Sequence, residues 1–225
     1  MKRILITLGL ALLLAALLPT FSFSSNANPG VLPPNSHAYG MTYGEWNARW
    51  FQWAASMPLD QNPLNDTADC STAQLGKVWF LGGPFGPNAQ PVRECNVPVG
   101  KALFFPIVNV DCSSLELPPF FGGTPEERRA CVRAIIDTVS NLSVEIDGVS
   151  LEDLTNYRAT SPDFHFVVPD NNVLGVPAGS GDMAADGYYL LLAPLSKGQH
   201  TIHFKGTIDM FAFTAEETYH LTVGQ

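Results

Sequence analysis

"LSVEIDGVSL", residues 142–151, is the stretch whose reading decides the fold. Its apolar and polar residues alternate with a period of two, which puts Val144 and Ile146 on one face of an extended strand and Glu145 and Asp147 on the other. "DFHFVVP" (163–169), "GYYLLLAPL" (187–195), "GQHTIHFKG" (198–206) and "TYHLTV" (218–223) follow at the spacing of an antiparallel sandwich. Ser196-Lys197-Gly198-Gln199 supplies a glycine-containing turn between two of them. Upstream, "KVWFLGG" (77–83) and "KALFFPIVNV" (101–110) are short apolar runs, rich in β-formers and bounded by Gly and Pro, and read as buried strands. "PFGPNAQPVREC" (84–95) and "SSLELPPFFGG" (113–123) read as loops. The pattern predicts a mainly β chain: one antiparallel β-sandwich over 42–225, immunoglobulin-like or jelly-roll, with two packed helices.

The first helix is "TYGEWNARWFQWAASMP", predicted over 42–57 and ended by Pro58. Thr42 and Glu45 have the spacing of a capping box, in which hydroxyl and carboxylate satisfy the first free amides. At about 100° per residue, Trp46, Trp50 and Trp53 fall within one narrow stripe, with Asn47, Ala48 and Gln52 elsewhere on the wheel. The second helix, "TPEERRACVRAIIDTV" (124–139), has Thr124 as its N-cap, Pro125 as its first residue and Glu127 as the capping partner. Its apolar face would carry Cys131, Val132, Ile135, Ile136 and Val139.

Residues 1–27 read as a secretory signal: Lys2 and Arg3, an uninterrupted apolar run from Ile4 to Leu18, then small residues at Ser25 and Ala27. That run is short for a membrane span, and residues 28–41, rich in Pro, Gly and Asn, read as an extended leader. The expected location is secreted or periplasmic, with no membrane span after cleavage. Losing Lys2 and Arg3 takes the net charge from −9 to −11. Such acidity argues against nucleic acid or an anionic membrane as partner. About 200 residues remain, enough for one well-cored domain.

Cys70, Cys95, Cys112 and Cys131 all lie in the exported part, where disulfides are the default. Three pairings are open; closure of short local loops favours Cys70–Cys95 and Cys112–Cys131. A zinc site would call for C-x-x-C or H-x-x-x-H pairs, and neither occurs.

"APLSKGQHTIHFKGTID" (193–209) resembles a strand–turn–strand pattern of bacterial immunoglobulin-like domains. With "YGEWNARWFQWAASMP", "GKVWFLGG", "GKALFFPIVN" and "DGYYLLLAPLSKGQHTIHFKG", nearly the whole mature chain resembles an uncharacterised group of exported bacterial proteins with a Trp-rich N-terminal helix and an immunoglobulin-like C-terminal part. The resemblance implies export and the helix-plus-sandwich plan. It brings no catalytic residue to any position.

Three sets of residues are candidates for chemistry. Trp46, Trp50 and Trp53 could stack a glycan, or wedge into the core, where burying about 200 Å² of one indole is worth up to roughly 5 kcal/mol. Asp170, Asn171, Asn172, Asp182 and Asp186 concentrate in "PDNNVLGVPAGSGDMAADG" (169–187), read as a loop whose oxygen ligands would suit calcium; no other cofactor is expected. His200 and His203 point to opposite faces of a strand, His203 and His220 would be neighbours if the last strands pair, and His165 points outward. The expected role is a non-enzymatic binding or structural module of the cell envelope, with a glycan or an envelope protein as partner. The rival is a secreted hydrolase using acidic and histidine residues of the sandwich loops.

Overall fold

A computed structural model describes residues 28–65, 68–84 and 91–224. The signal peptide read over 1–27 lies outside the described residues. Over the described residues the chain is mainly β, with two α-helices and two sheets. The first sheet contains Val78–Phe80 (β1), Ala102–Ser113 (β3), Phe164–Val168 (β6) and Gly179–Leu192 (β7), in the order β1-β3-β7-β6. The second contains Val92–Pro98 (β2), Val139–Ile146 (β4), Val149–Ser150 (β5), Gly198–Ile208 (β8) and Phe213–Gly224 (β9), in the order β2-β9-β8-β4-β5. Pairing is antiparallel except at two edges, where β1 runs parallel to β3 and β2 parallel to β9. In the predicted leader, Val31 is buried against Leu192 and Ala38–Gly40 makes a short 3₁₀ turn.

Both helices begin where the local chemistry predicts. Tyr43–Ala55 (α1) starts behind Thr42, whose hydroxyl accepts from the Glu45 amide (3.2 Å) while the Glu45 carboxylate accepts from the Thr42 amide (2.7 Å). Pro125–Ile136 (α2) repeats the device with Thr124 and Glu127. It ends three residues earlier than the predicted 139. The Thr138 hydroxyl turns back to the Ile135 carbonyl (2.7 Å), and Val139 leaves to pair with Ile208 as the start of β4.

β3 and β7 are buried on both faces, which explains their unbroken apolar runs. Phe104, Tyr189 and Leu191 face α1, where Tyr43, Trp50 and Trp53 pack on them. Leu103, Phe105, Leu190 and Leu192 face Ile202, Phe204 and Tyr219 of the second sheet and Val132 and Ile136 of α2. Stacked rings mark each layer: Phe104 on Tyr189 at 5.3 Å, and Phe105 on Phe204 at 5.4 Å.

Two predicted loops hold strands. Residues 92–98 form β2, whose first four residues fall in the predicted 84–95 loop, with Arg93, Cys95 and Val97 inward. The alternation was masked because an arginine occupies an inward position. The 169–187 loop turns into β7 at Gly179, and of its glycines Gly181 and Gly187 serve close packing rather than a turn. A Cβ on Gly187 would lie 2.6 Å from the Val108 carbonyl oxygen, so only glycine fits there.

The bridges are Cys70–Cys95 and Cys112–Cys131. The second closes a 19-residue separation and ties α2 to the end of β3. The Cys112→Ser/Cys131→Ser double variant is expected to lose about 3 kcal/mol of stability, read as a lower denaturant midpoint. An unchanged midpoint would show that the bridge contributes nothing.

Candidate functional site

α1 buries a wider arc than its tryptophan stripe. Trp50 and Trp53 are buried and Trp46 is half-buried, but Asn47 and Ala48, placed off the stripe by the wheel, are buried too. Asn47 survives there because both ends of its amide are satisfied: Nδ2 donates to the Ala159 carbonyl (2.9 Å) and Oδ1 accepts from the Tyr189 hydroxyl (2.7 Å). Each indole N–H reaches a different segment: Trp46 to the Ala38 carbonyl (3.1 Å), Trp50 to Leu81 (2.8 Å) and Trp53 to Thr72 (3.2 Å). Phe80 sits between Trp46 and Trp53, at 6.2 and 5.5 Å.

The five candidate calcium ligands are not brought together. Asp170 is exposed in a turn, and Asn171 takes a left-handed φ of 53°. Asn172 Nδ2 donates to the Pro169 and Val176 carbonyls, both at 2.7 Å, and its Oδ1 accepts from the Leu174 amide (3.1 Å). Asp182 lies on β7 beside His165 (3.2 Å), with both side chains exposed. Asp186, four positions along the same strand, is buried and paired with Arg158 (2.7 Å), which also holds Asp137 (2.6 Å). Four residues of strand span roughly 13 Å, so Asp182 and Asp186 cannot share an ion. Among the described residues, no three His, Cys, Asp or Glu side chains gather as a metal site.

The histidines are likewise separate. The register of β8 and β9 sets His203 opposite Thr218 and His220 opposite Thr201, so the two do not face each other directly. His200 Nδ1 lies 2.6 Å from Asp147, and Nε2 lies 2.9 Å from the Ser196 carbonyl. Burial opposes its charged form, but Asp147 and the carbonyl outweigh that and raise its pKa. Its stabilising contribution is therefore complete below the unfolded value of roughly 6.5 and is lost as pH rises through the higher folded value. His200→Gln is expected to flatten that part of the stability–pH curve; an unaltered curve would refute the assignment.

What sequence reasoning missed is a carboxyl pair in a cavity. β1 pairs only with Ala102–Phe104, so from Pro106 onward β3 has β7 on one side and no described strand on the other. A cavity of about 410 Å³ lies along that stretch. α1 supplies Trp50, Phe51 and Ala54 to its wall; Phe120, Leu174 and Phe213 supply further apolar surface. Asp111 and Glu116 are its only acidic wall residues, and no Lys, Arg or His lines it among the described residues.

The two carboxyls are neighbours close enough for each to act on the other's charge. Ser113 fixes the turn between them: its hydroxyl donates to Glu116 Oε2 (2.9 Å) and accepts from the Glu116 amide (3.2 Å). The Cys112–Cys131 bridge and the Ser113 amide bond to the Phe120 carbonyl (2.9 Å) hold that turn in place. Burial pushes the Asp111 pKa up. Burial and then the neighbouring Asp111 charge push that of Glu116 up further. One shared proton between two close acids is the expected state near neutrality.

Raised acid pKa values give a definite sign. Below the unfolded values near 4 both states are protonated; above them the unfolded chain ionises first, and stability falls as pH rises toward the folded values. Asp111→Asn removes a buried charge, and at pH 8 it is expected to raise stability by about 1–3 kcal/mol. Chemical denaturation at pH 5 and pH 8 checks this, and destabilisation at pH 8 would refute it.

The signal for this pair was present in "PIVNVDCSSLE" (106–116): an acid continues an apolar run. An Asp within an otherwise apolar strand calls for a reason.

Fold and site together define a disulfide-linked, mainly β protein with a helix-walled, acid-ended apolar cavity. No protein-family model matches the chain, and no curated protein matches it. Among solved structures it is similar to a chain from "Structure of PbICP-C in complex with falcipain-2", with 11% identity over 66% of this chain and 100% of that one. The TM-score of that likeness is 0.26, too low to carry an argument about fold or function.

Proposed function

We propose that this chain is an exported, non-enzymatic binding module of the cell envelope, secreted or periplasmic, built as a sandwich of two sheets with two packed helices. Its ligand is a small, largely apolar molecule that enters the cavity beside α1. The observation that carries this reading is the cavity itself, about 410 Å³ with apolar walls and two convergent carboxyls. That size and lining are those of small-molecule sites. Two disulfides accord with an oxidising compartment. No helix among the described residues is long and apolar enough to cross a membrane. A glycan stacked across Trp46, Trp50 and Trp53 would need indole faces that the core occupies.

Trp50 lines the cavity, so occupancy should change tryptophan emission. A ligand at a hundred times its dissociation constant should stabilise by about 2.7 kcal/mol. A panel of apolar small molecules that changes neither emission nor melting temperature would overturn the reading. A hydrolase remains the second reading, favoured by one observation: two neighbouring carboxyls line one cavity, and such a pair can share a proton and divide acid and base roles. Turnover of model esters or glycosides that is lost in Asp111→Asn would favour it.

A further inference from the structure

We propose that the cavity ligand carries an ammonium group on an apolar body, with the ammonium seated against Asp111 and Glu116. The inference rests on the cavity being the binding site and goes further by fixing the charge of what it binds.

The walls supply negative charge and no cation to offset it; their other polar side chain is Asn109, a neutral amide whose buried Nδ2 has no hydrogen-bond partner among the described residues. Among the described residues, the lining holds no Lys, Arg or His. The buried guanidiniums elsewhere are engaged: Arg93 with Glu217 (2.9 Å), and Arg128 with Asp163 (2.8 Å). Asp111 Oδ2 is buried and has no hydrogen-bond partner among the described residues. An ionised carboxylate has about four lone-pair sites, so acceptor capacity is left over. Glu116 can contribute one shared proton, but a proton shared within the pair leaves its net charge at minus one.

Ligand chemistry then sorts by what it brings. An ammonium brings a compensating charge and up to three donors. An alcohol brings one donor and no charge. A carboxylate brings a second buried anion and is repelled. The rest of the ligand meets Trp50, Phe51, Ala54, Leu174 and Phe213, which reward an apolar body and offer no polar partner from their side chains.

The test uses three probes with one body: 4-phenylbutylamine, 4-phenylbutan-1-ol and 4-phenylbutyrate, titrated against the oxidised protein and read by tryptophan emission and melting temperature. The amine should bind at least about tenfold tighter than the alcohol, with the acid weakest. Asp111→Asn should bring amine and alcohol within about twofold, whereas Glu126→Gln, an exposed carboxylate of α2, should leave the gap unchanged. The wild-type comparison stands alone should Asp111→Asn fold poorly. An alcohol or acid that binds as tightly as the amine overturns the charge assignment but keeps the cavity as a binding site. If none of the three binds at its solubility limit, the cavity reading falls as well.

Discussion

Trp50→Ala is expected to cost about 3–5 kcal/mol of folding stability, the range for removing a large buried aromatic. Trp50 is 3% exposed and packs on Phe51 and Trp53, with ring centroids 5.0 and 6.0 Å away. Its N–H also satisfies the Leu81 carbonyl at 2.8 Å, so the variant loses packing and leaves a buried acceptor unpaired. Trp50→Phe separates the two effects: it keeps most of the packing and should cost about 1 kcal/mol for the lost hydrogen bond, plus a share for lost volume. Urea midpoints read both. Near-wild-type stability in Trp50→Ala would mean that the indole is a surface feature, since exposed substitutions usually stay within about 0.5 kcal/mol.

Arg93→Ala should be comparably severe, at about 3–5 kcal/mol, through a different mechanism. The Arg93 guanidinium lies in the interior, with Nε 2.9 Å from Glu217, whose side chain is fully buried. Its other nitrogens donate to the carbonyls of Pro63, Leu64 and Gly83 and to the Tyr219 hydroxyl. Truncation takes the guanidinium away from the fully buried Glu217 side chain. Replacing both partners, as in Arg93→Met/Glu217→Met, removes the two charges together and should recover most of the loss. A double variant as unstable as Arg93→Ala would locate the cost in the unpaired loop carbonyls instead. Leu64, Gly83 and Pro84 wall the cavity, so Arg93→Ala should also weaken ligand binding.

The legible parts of the fold were those written in neighbouring residues. Both capping boxes, the proline after α1, and the alternation of Val144, Glu145, Ile146 and Asp147 need only local chemistry, and each corresponds to an element of the structure. The cysteine pairing favoured by short loops is the one that occurs. Elements defined by distant partners were not legible. β2 reads as loop until Glu217 explains the inward Arg93, and the first half of β7 reads as loop until Val108 explains Gly187. Asn47 looks like a surface residue until Tyr189, 142 positions away, accounts for it. The carboxyl pair belongs to the same kind. Asp111 and Glu116 are five positions apart, but the open edge of β3 and the side of α1 that make them a site are assembled from across the chain.

The parallel pairing of β2 with β9 bears on when the protein can finish folding. Arg93 and Tyr219 meet across 126 residues, and β9 is the strand neighbour described for β2. Until β9 has been synthesised, β2 therefore has no template, and Arg93 lacks the Glu217 that it pairs with in the folded chain. Such long-range closure slows folding and prolongs exposure of unpaired strand edges. Cys95 sits on β2, so oxidation with Cys70 can precede the docking of β9. An early Cys70–Cys95 bridge would then hold β2 beside the α1 region until the last strand arrives, making oxidation a step that orders assembly.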